Sequence, residues 1–231
     1  MALLEVDSVD TYYGESQILE DVSMEVGVDE VVAIMGRNGV GKTTLMRTAI
    51  QLTPPREGEV RFKGVDVTGA DTNEVAEMGM GWVPENRRPF TQLTVEDNLR
   101  ISVKEGDTSE KVEEMFDIFP LLTDSRNEKA NQLSGGEQQM LAMARGLVGD
   151  NDLLMIDEPS EGLSPIVVEE IVEAIDDAAQ DSSLLIIEQS LSLALDLADR
   201  YYLLDNGQVV AKGVTEGLDE ESEELMEHLR V

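Results

Sequence analysis

The stretch Gly36-Arg37-Asn38-Gly39-Val40-Gly41-Lys42-Thr43-Thr44 decides the fold. Upstream lies the unbroken apolar run Val31-Val32-Ala33-Ile34-Met35, which predicts a buried strand. Downstream, Leu45-Met46-Arg47-Thr48-Ala49-Ile50 predicts the start of a helix. The spacing G-x-x-x-x-G-K-[ST] thus sits in the strand–loop–helix context that a phosphate-binding loop requires. Its glycines let successive backbone N–H groups turn toward one point, and the helix N-terminus adds positive potential there. Lys42 supplies a charge for terminal phosphates, and the Thr43 hydroxyl can reach a magnesium ion.

Two further stretches follow the same logic. Asp152-Leu153-Leu154-Met155-Ile156 predicts a second buried strand that delivers Asp157 and Glu158 at its end. A strand-terminal Asp is the usual partner of a phosphate-loop Thr on Mg2+. Strand alternation sends Glu158 to the other side, where it can polarise a water. Leu133-Ser134-Gly135-Gly136-Glu137-Gln138-Gln139 predicts a helix start, with Ser134 and Glu137 as a capping box. The two glycines clear side chains from that terminus and leave donors open to an anion.

At 231 residues the chain fits one substantial α/β domain with a subdomain inserted. The absence of cysteine excludes disulfides and thiolate metal sites. No apolar run approaches bilayer length, and Met1-Ala2-Leu3-Leu4-Glu5 lacks a signal-peptide layout. The expected location is therefore the cytoplasmic side, with any membrane contact made through another protein. Acidic residues number 49 against 17 Lys and Arg, a net charge of −32, and only six of the basic residues are Lys. Such self-repulsion destabilises a compact state unless salt screens it, which predicts adaptation to a salt-rich cytosol. The acids are spread along the whole chain, so one acidic docking patch explains them less well. No basic stripe is available to neutralise phosphates, which argues against nucleic acid.

Along the rest of the chain, Leu3 to Val6 and Leu19 to Val28 alternate as a strand pair. Between them lies Tyr13, which can stack on an adenine ring or simply end a strand; the residues leave this open. Thr53-Pro54-Pro55 stops regular structure, and Glu59 to Lys63 with Val65 to Val67 predicts a short strand pair broken at Gly64. Met80 to Glu85 closes another strand. Residues 85 to 150 read as mostly helical: Thr94 caps one helix, and Val112, Met115, Phe116 and Phe119 form the core face of another that ends at Pro120. Met140, Leu141, Ala144, Leu147 and Val148 share one face of the helix after Ser134. Ser164-Pro165 caps a helix carrying Val167, Val168, Ile171, Val172 and Ile175. Leu184 to Ile187 predicts a third buried strand, ending in Glu188-Gln189. Tyr201–Leu204 and Gln208–Ala211 predict a hairpin turning at Asn206-Gly207. The tail from Glu216 to Val231 reads as an acidic helix in which the only histidine, His228, has no role.

In this order and spacing the phosphate loop, Leu133 to Gln139 and Asp157-Glu158 resemble an ATP-binding cassette, the motor subunit of ABC transporters. The match spans essentially the whole chain. Val83-Pro84-Glu85-Asn86-Arg87-Arg88 and Asp157-Glu158-Pro159-Ser160-Glu161-Gly162-Leu163-Ser164-Pro165 are similar to the branched-chain amino-acid (and urea or short-chain amide) uptake group. The resemblance implies a P-loop NTPase fold: a RecA-like core with an N-terminal antiparallel β subdomain (residues 1–84 and 151–231), and an inserted α-helical subdomain at 85–150. It implies ATP held by Tyr13, Gly36, Arg37, Asn38, Gly39, Val40, Gly41, Lys42, Thr43 and Thr44. It also implies Mg2+ on Thr43 and Asp157 with Glu85 nearby, and Glu158 as base. Ser134, Gly135, Gly136 and Glu137 would meet ATP bound to a second, head-to-tail cassette, with Glu161 to Pro165 at the contact between the two. Permease subunits, and indirectly a solute-binding protein, are the implied further partners.

Three positions depart from the general pattern of such cassettes. Glu85 and Glu137 stand where most have Gln, and Gln189 stands where a switch His contacts the γ-phosphate. An amide can donate a hydrogen bond there but does not titrate near neutrality, so no proton-shuttling histidine is expected. Whether Glu85 lies near Mg2+ or pairs with Arg87 or Arg88 stays open. Soluble cassette ATPases of DNA repair carry a long coiled coil before the signature, and the interval from Lys42 to Ser134 holds no heptad run. Translation members usually carry two cassettes in one chain. A P-loop nucleotide kinase leaves Leu133 to Gln139 unexplained.

Overall fold

The computed structural model describes residues 2–86, 89–104, 106–219 and 222. In chain order its elements are β1 (Ala2–Tyr13), β2 (Ser16–Gly27), β3 (Val31–Met35), α1 (Lys42–Ala49), β4 (Glu57–Phe62), β5 (Val65–Asp66), α2 (Thr72–Glu77), β6 (Met80–Val83), α3 (Val95–Arg100), α4 (Thr108–Ile118), α5 (Gly135–Leu147), β7 (Leu153–Asp157), α6 (Pro165–Ala178), β8 (Ser183–Ile187), α7 (Leu191–Leu197), β9 (Arg200–Asp205) and β10 (Gln208–Val214). Two sheets organise them. An antiparallel sheet has the order β2-β1-β4-β5, and a larger one runs β10-β9-β3-β8-β7-β6. In the larger sheet only β10 is antiparallel to its neighbour.

The unbroken apolar runs are explained by burial on both faces, as in a parallel sheet covered from each side. Every residue of β3, β7 and β8 is buried. Alternation assigns each side chain to one of two cores. Ala33, Met35, Leu154, Ile156, Leu184 and Ile186 pack with Leu99, Phe116, Leu141 and Ile175 of the helices. Val32, Ile34, Leu153, Met155, Leu185 and Ile187 pack with Leu45 and Met46 of α1 and with Leu4, Val22 and Phe62 of the antiparallel sheet. Full burial of each Val, Leu, Ile, Met or Phe side chain among them stabilises by about 1.5–3 kcal/mol, so the sheet is the rigid platform of the molecule.

Local signals behave as their chemistry requires. Thr94 accepts from the Asp97 amide, and Ser134 with Glu137 completes a capping box on α5. Asn206 and Gly207 both have positive φ (45° and 79°), as a tight type I′ hairpin demands. Ser164 occupies the cap position of α6 without a side-chain cap bond, and Pro165 fixes the first turn instead.

Some expectations are corrected. The hairpin strands around Gly64 run Glu57–Phe62 and Val65–Asp66, because Lys63 (φ 53°) joins Gly64 (φ 74°) in the turn. The short helices α2 and α7 had no counterpart in the sequence reading. The tail does not begin as a helix at Glu216: Glu216 and Gly217 form a turn, with Gly217 at φ 83°. The remainder of that predicted helix, including His228, lies outside the described residues, as do Arg87 and Arg88.

Segment 120–134 is braced before it reaches Ser134. The amides of Val95, Glu96 and Ala130 donate to Glu128 O, Arg126 O and Leu93 O. Arg126 clamps Glu96 at 2.6 Å and Glu113 at 2.6 Å. Hydrogen bonds from Arg126 and Arg100 hold the Glu96 carboxyl down to about 2.

Candidate functional site

Strands β3, β8 and β7 end side by side, and the loops leaving them build the site. The first loop, Gly36–Gly41, ends at the left-handed Gly41 (φ 111°) that caps α1. A Cβ on Gly36 would lie 2.3 Å from Leu204 O, and one on Gly41 would lie 2.9 Å from Leu19 Cδ2, so both positions exclude side chains. Arg37, Asn38 and Gly39 are exposed, Val40 is half-buried, and Thr44 is buried at the start of α1.

Lys42 is 4% exposed and curls back under this loop. Its Nζ donates to Gly36 O at 2.9 Å and to Arg37 O at 3.3 Å. It also pairs with Glu158 Oε1 at 3.3 Å. That contact corrects the expectation that Glu158 faces away from Asp157. Strand geometry ends at Asp157, and Glu158 adopts a left-handed φ of 48°, which turns its side chain toward the loop. A non-glycine residue held there is strained by roughly 1–3 kcal/mol, and such strain collects at functional sites.

Asp157 is 1% exposed, and its Oδ1 accepts from Thr43 Oγ1 at 3.3 Å. Its Oδ2 is buried and has no hydrogen-bond partner among the described residues. Burial pushes its carboxyl up to about 6, and the charges of Glu158 and Glu85 add to the rise, against the Thr43 hydrogen bond and Lys42. An orphaned carboxylate oxygen beside a threonine hydroxyl fits a divalent cation. No group of three His, Asp or Glu able to hold a metal occurs among the described residues. The pair therefore suits Mg2+, which keeps waters and takes phosphate oxygens beside one or two protein ligands.

A cavity of about 360 Å3 opens over this loop, lined among others by Tyr13, Lys42, Thr43, Glu85, Glu158 and Glu161. Tyr13 is 44% exposed at its mouth, with the Arg47 guanidinium 5.8 Å from its ring centre. A second cavity, about 330 Å3, separates Gly36–Asn38 from Glu188, the exposed Gln189 and Leu191. Glu85 faces the first cavity, and its alternative partners lie outside the described residues. A groove of about 450 Å3 between α4, the end of α5 and α6 is larger than either but holds no phosphate-loop residue, so volume does not mark the site here.

Ser134 and Gly135 are exposed and Gly136 is half-buried. None of the three lines a cavity that contains Lys42. The Ser134 hydroxyl accepts from the Glu137 amide at 3.3 Å, and Glu137 Oε2 accepts from the Ser134 amide at 2.8 Å. Hydrogen bonds from Ser134 hold the Glu137 carboxyl below its ordinary range. The Gly135 and Gly136 amides, at the first two helical positions, have no intrahelical acceptor.

Two residues were missed as participants. Glu161, whose neighbourhood the sequence reading assigned to subunit contact, lines the first cavity, and burial with the charges of Glu158 and Glu85 raises its carboxyl. Glu188 is 2% exposed. The available signal was a charged residue directly after an apolar run that reads as strand.

A strand–loop–helix phosphate cradle with an acid-bearing strand one strand away in the same parallel sheet defines a P-loop nucleotide-binding protein. Comparison with known proteins narrows this. The ABC transporter family profile matches residues 19–161. The chain is 39% identical over 212 residues to the high-affinity branched-chain amino acid transport ATP-binding protein BraG of Pseudomonas aeruginosa, covering 90% of this chain and 91% of that one. It is 35% identical to a probable branched-chain amino acid transport ATP-binding protein, LivF, of Archaeoglobus fulgidus (94% and 91% covered). Among solved structures, MJ1267, an ATP-binding cassette of an ABC transporter, superposes with a TM-score of 0.82 at 28% identity (93% and 92% covered). The dimeric bacterial ABC transporter cassette MJ0796 superposes with a TM-score of 0.84 at 25% identity (93% and 100% covered). The chain belongs to the ABC transporter family.

Proposed function

We propose that this chain is the ATP-hydrolysing subunit of an importer for branched-chain amino acids. It works at the cytoplasmic face of a membrane, paired head-to-tail with a second cassette beneath permease subunits that a solute-binding protein supplies. The observation that carries the reading is the convergence of Lys42, Thr43 and Glu158 on one cavity, with Asp157 bonded to Thr43, while Ser134 and Gly135 lie exposed outside it. The names of the relatives support the solute class, and the dimeric solved cassette supports the pairing.

In this reading residues 1–84 and 151–231 are the nucleotide-binding core, and 85–150 is a helical subdomain that presents Ser134 to a partner. Tyr13 stacks on adenine. The amides of Gly39 to Thr44 and the Lys42 ammonium cradle the phosphates. Thr43 and Asp157 would hold Mg2+, which when bound neutralises phosphate charge, and Glu85 stands near them. Glu158 orients and deprotonates the attacking water, and Gln189 donates a hydrogen bond toward the terminal phosphate. Segment Glu85 to Phe90 passes the motion to the permease; Phe90 is 50% exposed there, braced by the Arg145 guanidinium 4.6 Å from its ring centre. Among the described residues no helix is long and apolar enough to cross a membrane, in keeping with peripheral attachment.

Replacing Glu158 by Gln tests the central role. The variant should bind ATP yet hydrolyse it at least ~100-fold more slowly, and near-normal turnover would remove Glu158 from the reaction. We also read the net charge of −32 as adaptation to a salt-rich cytosol. The urea midpoint should rise by about 1 M between ~0.1 and ~2 M KCl, and full stability in dilute buffer refutes the adaptation.

A further inference from the structure

Glu188 is charged, 2% exposed and sits one residue beyond β8, between the two strands that feed the phosphate loop and the acid pair. Its own amide donates to Ile34 O of β3 at 3.4 Å, while the Glu158 amide donates to Ile187 O at 3.0 Å. Burying a carboxylate is costly unless hydrogen bonds replace its water. Four donors do so here. Oε1 accepts from the Ser160 amide at 3.2 Å. Oε2 accepts from the Ser160 hydroxyl at 3.0 Å, the Gln189 amide at 3.1 Å and the Ser190 amide at 3.4 Å. These donors come from two separate chain segments. Ser160 belongs to the loop that follows Glu158 and leads through Glu161 to Ser164. Gln189 and Ser190 lead into α7, which Ser190 caps.

One carboxylate therefore joins the loop facing the phosphate cavity to the segment facing Gly36–Asn38 across the second cavity. We propose that Glu188 is a positioning residue that locks the Pro159–Ser164 loop to the Gln189 segment, so that a displacement of either is imposed on the other. The inference rests on the ATPase reading above. No direct contact with nucleotide is involved. Glu188 acts through Glu158 and Glu161 on one side and Gln189 on the other, keeping the two in register as the terminal phosphate is attacked.

Glutamine at this position keeps the volume but offers one acceptor oxygen where the carboxylate offers two. If that oxygen faces the Ser160 amide, the Gln189 and Ser190 amides lose their acceptor; if it faces them, the Ser160 amide does. The first orientation releases the Gln189 segment and the second leaves only the Ser160 hydroxyl bridging the two, so either one weakens the link while leaving the phosphate cradle intact. The test is steady-state ATP hydrolysis and nucleotide binding for Glu188→Gln, Ser160→Ala and the double variant, with thermal melts and Lys42→Ala as control. Glu188→Gln should lower kcat about 10-fold while KM and nucleotide affinity stay within about 2-fold. Ser160→Ala should lower kcat less, and the double variant should be no worse than Glu188→Gln alone, since both remove one link. An unchanged kcat, fully additive losses, or a fall in kcat matched by equal falls in affinity and melting temperature would overturn the proposal. If Glu188→Gln does not accumulate as folded protein, Ser160→Ala decides it: unchanged kcat refutes the link, and reduced kcat at wild-type affinity supports it. Wild-type hydrolysis that survives Lys42→Ala would sink the ATPase reading itself, and this inference with it.

Discussion

The phosphate cradle and the Ser134–Gly136 corner are both glycine-bearing helix starts, yet they are built oppositely. At the cradle the helix cap is a left-handed glycine without a side chain, the neighbouring lysine is buried, and close backbone approach forbids a Cβ at Gly36. At the corner a serine side chain caps the helix, Glu137 answers it, and Gly135 stands in solvent beside the half-buried Gly136. Neither Gly135 nor Gly136 has a positive φ. The cradle's glycines are thus required by its own backbone. At the corner, by contrast, Gly136 answers to packing, since a Cβ there would lie 3.1 Å from Val167 Cγ2 of α6. The exposed Gly135 has no backbone conformation that calls for glycine. What the difference teaches is that the glycine at 135 is explained by something outside this chain, which on the reading above is nucleotide on a second cassette.

Breaking the cradle should have the largest effect. Lys42→Ala is expected to weaken ATP binding at least ~100-fold by equilibrium titration, and unchanged binding refutes the phosphate-loop assignment. At the corner, Gly135→Glu adds an anion at the first position of α5, where helix energetics favour it. The folded monomer should lose no stability and bind ATP within ~2-fold of wild type, while hydrolysis falls about 30-fold because a carboxylate meets the partner's phosphates. Wild-type hydrolysis in that variant would break the contrast between the two helix starts. The smallest effect sharpens the contrast through Asp157, whose carboxyl rises from 3.8 to about 6 in the fold. A raised folded-state value means that protonation stabilises the fold: the contribution is complete below the unfolded value and is lost as pH climbs through about 6. Without nucleotide or metal, Asp157→Asn should therefore raise stability by about 1 kcal/mol at pH ~7.5, with the gain vanishing near pH ~4 in denaturant titrations. A gain independent of pH would mean that burial of the charge is not its source.

The sheet was legible because β3, β7 and β8 are buried on both faces, which leaves uninterrupted apolar runs that few other environments tolerate. Caps at Thr94 and Ser134 and the Asn206-Gly207 turn were legible because each is decided within four residues. Helices α2 and α7, six and seven residues long, were not, since fewer than two full turns show little periodicity. The Lys42–Glu158 pair escaped notice because a single left-handed residue reversed the side that strand alternation assigns. Glu188 was read past for a related reason: what makes it special is three partners on neighbouring loops, and no local pattern encodes those.

The contact between Lys42 and Glu158 has a consequence for timing. On the reading proposed above, a triphosphate that recruits the ammonium must take it from the carboxylate, and that carboxylate then becomes available to a water. In that reading the arrival of fuel and the unlocking of the group that spends it are one event, and an idle subunit carries its own safety catch.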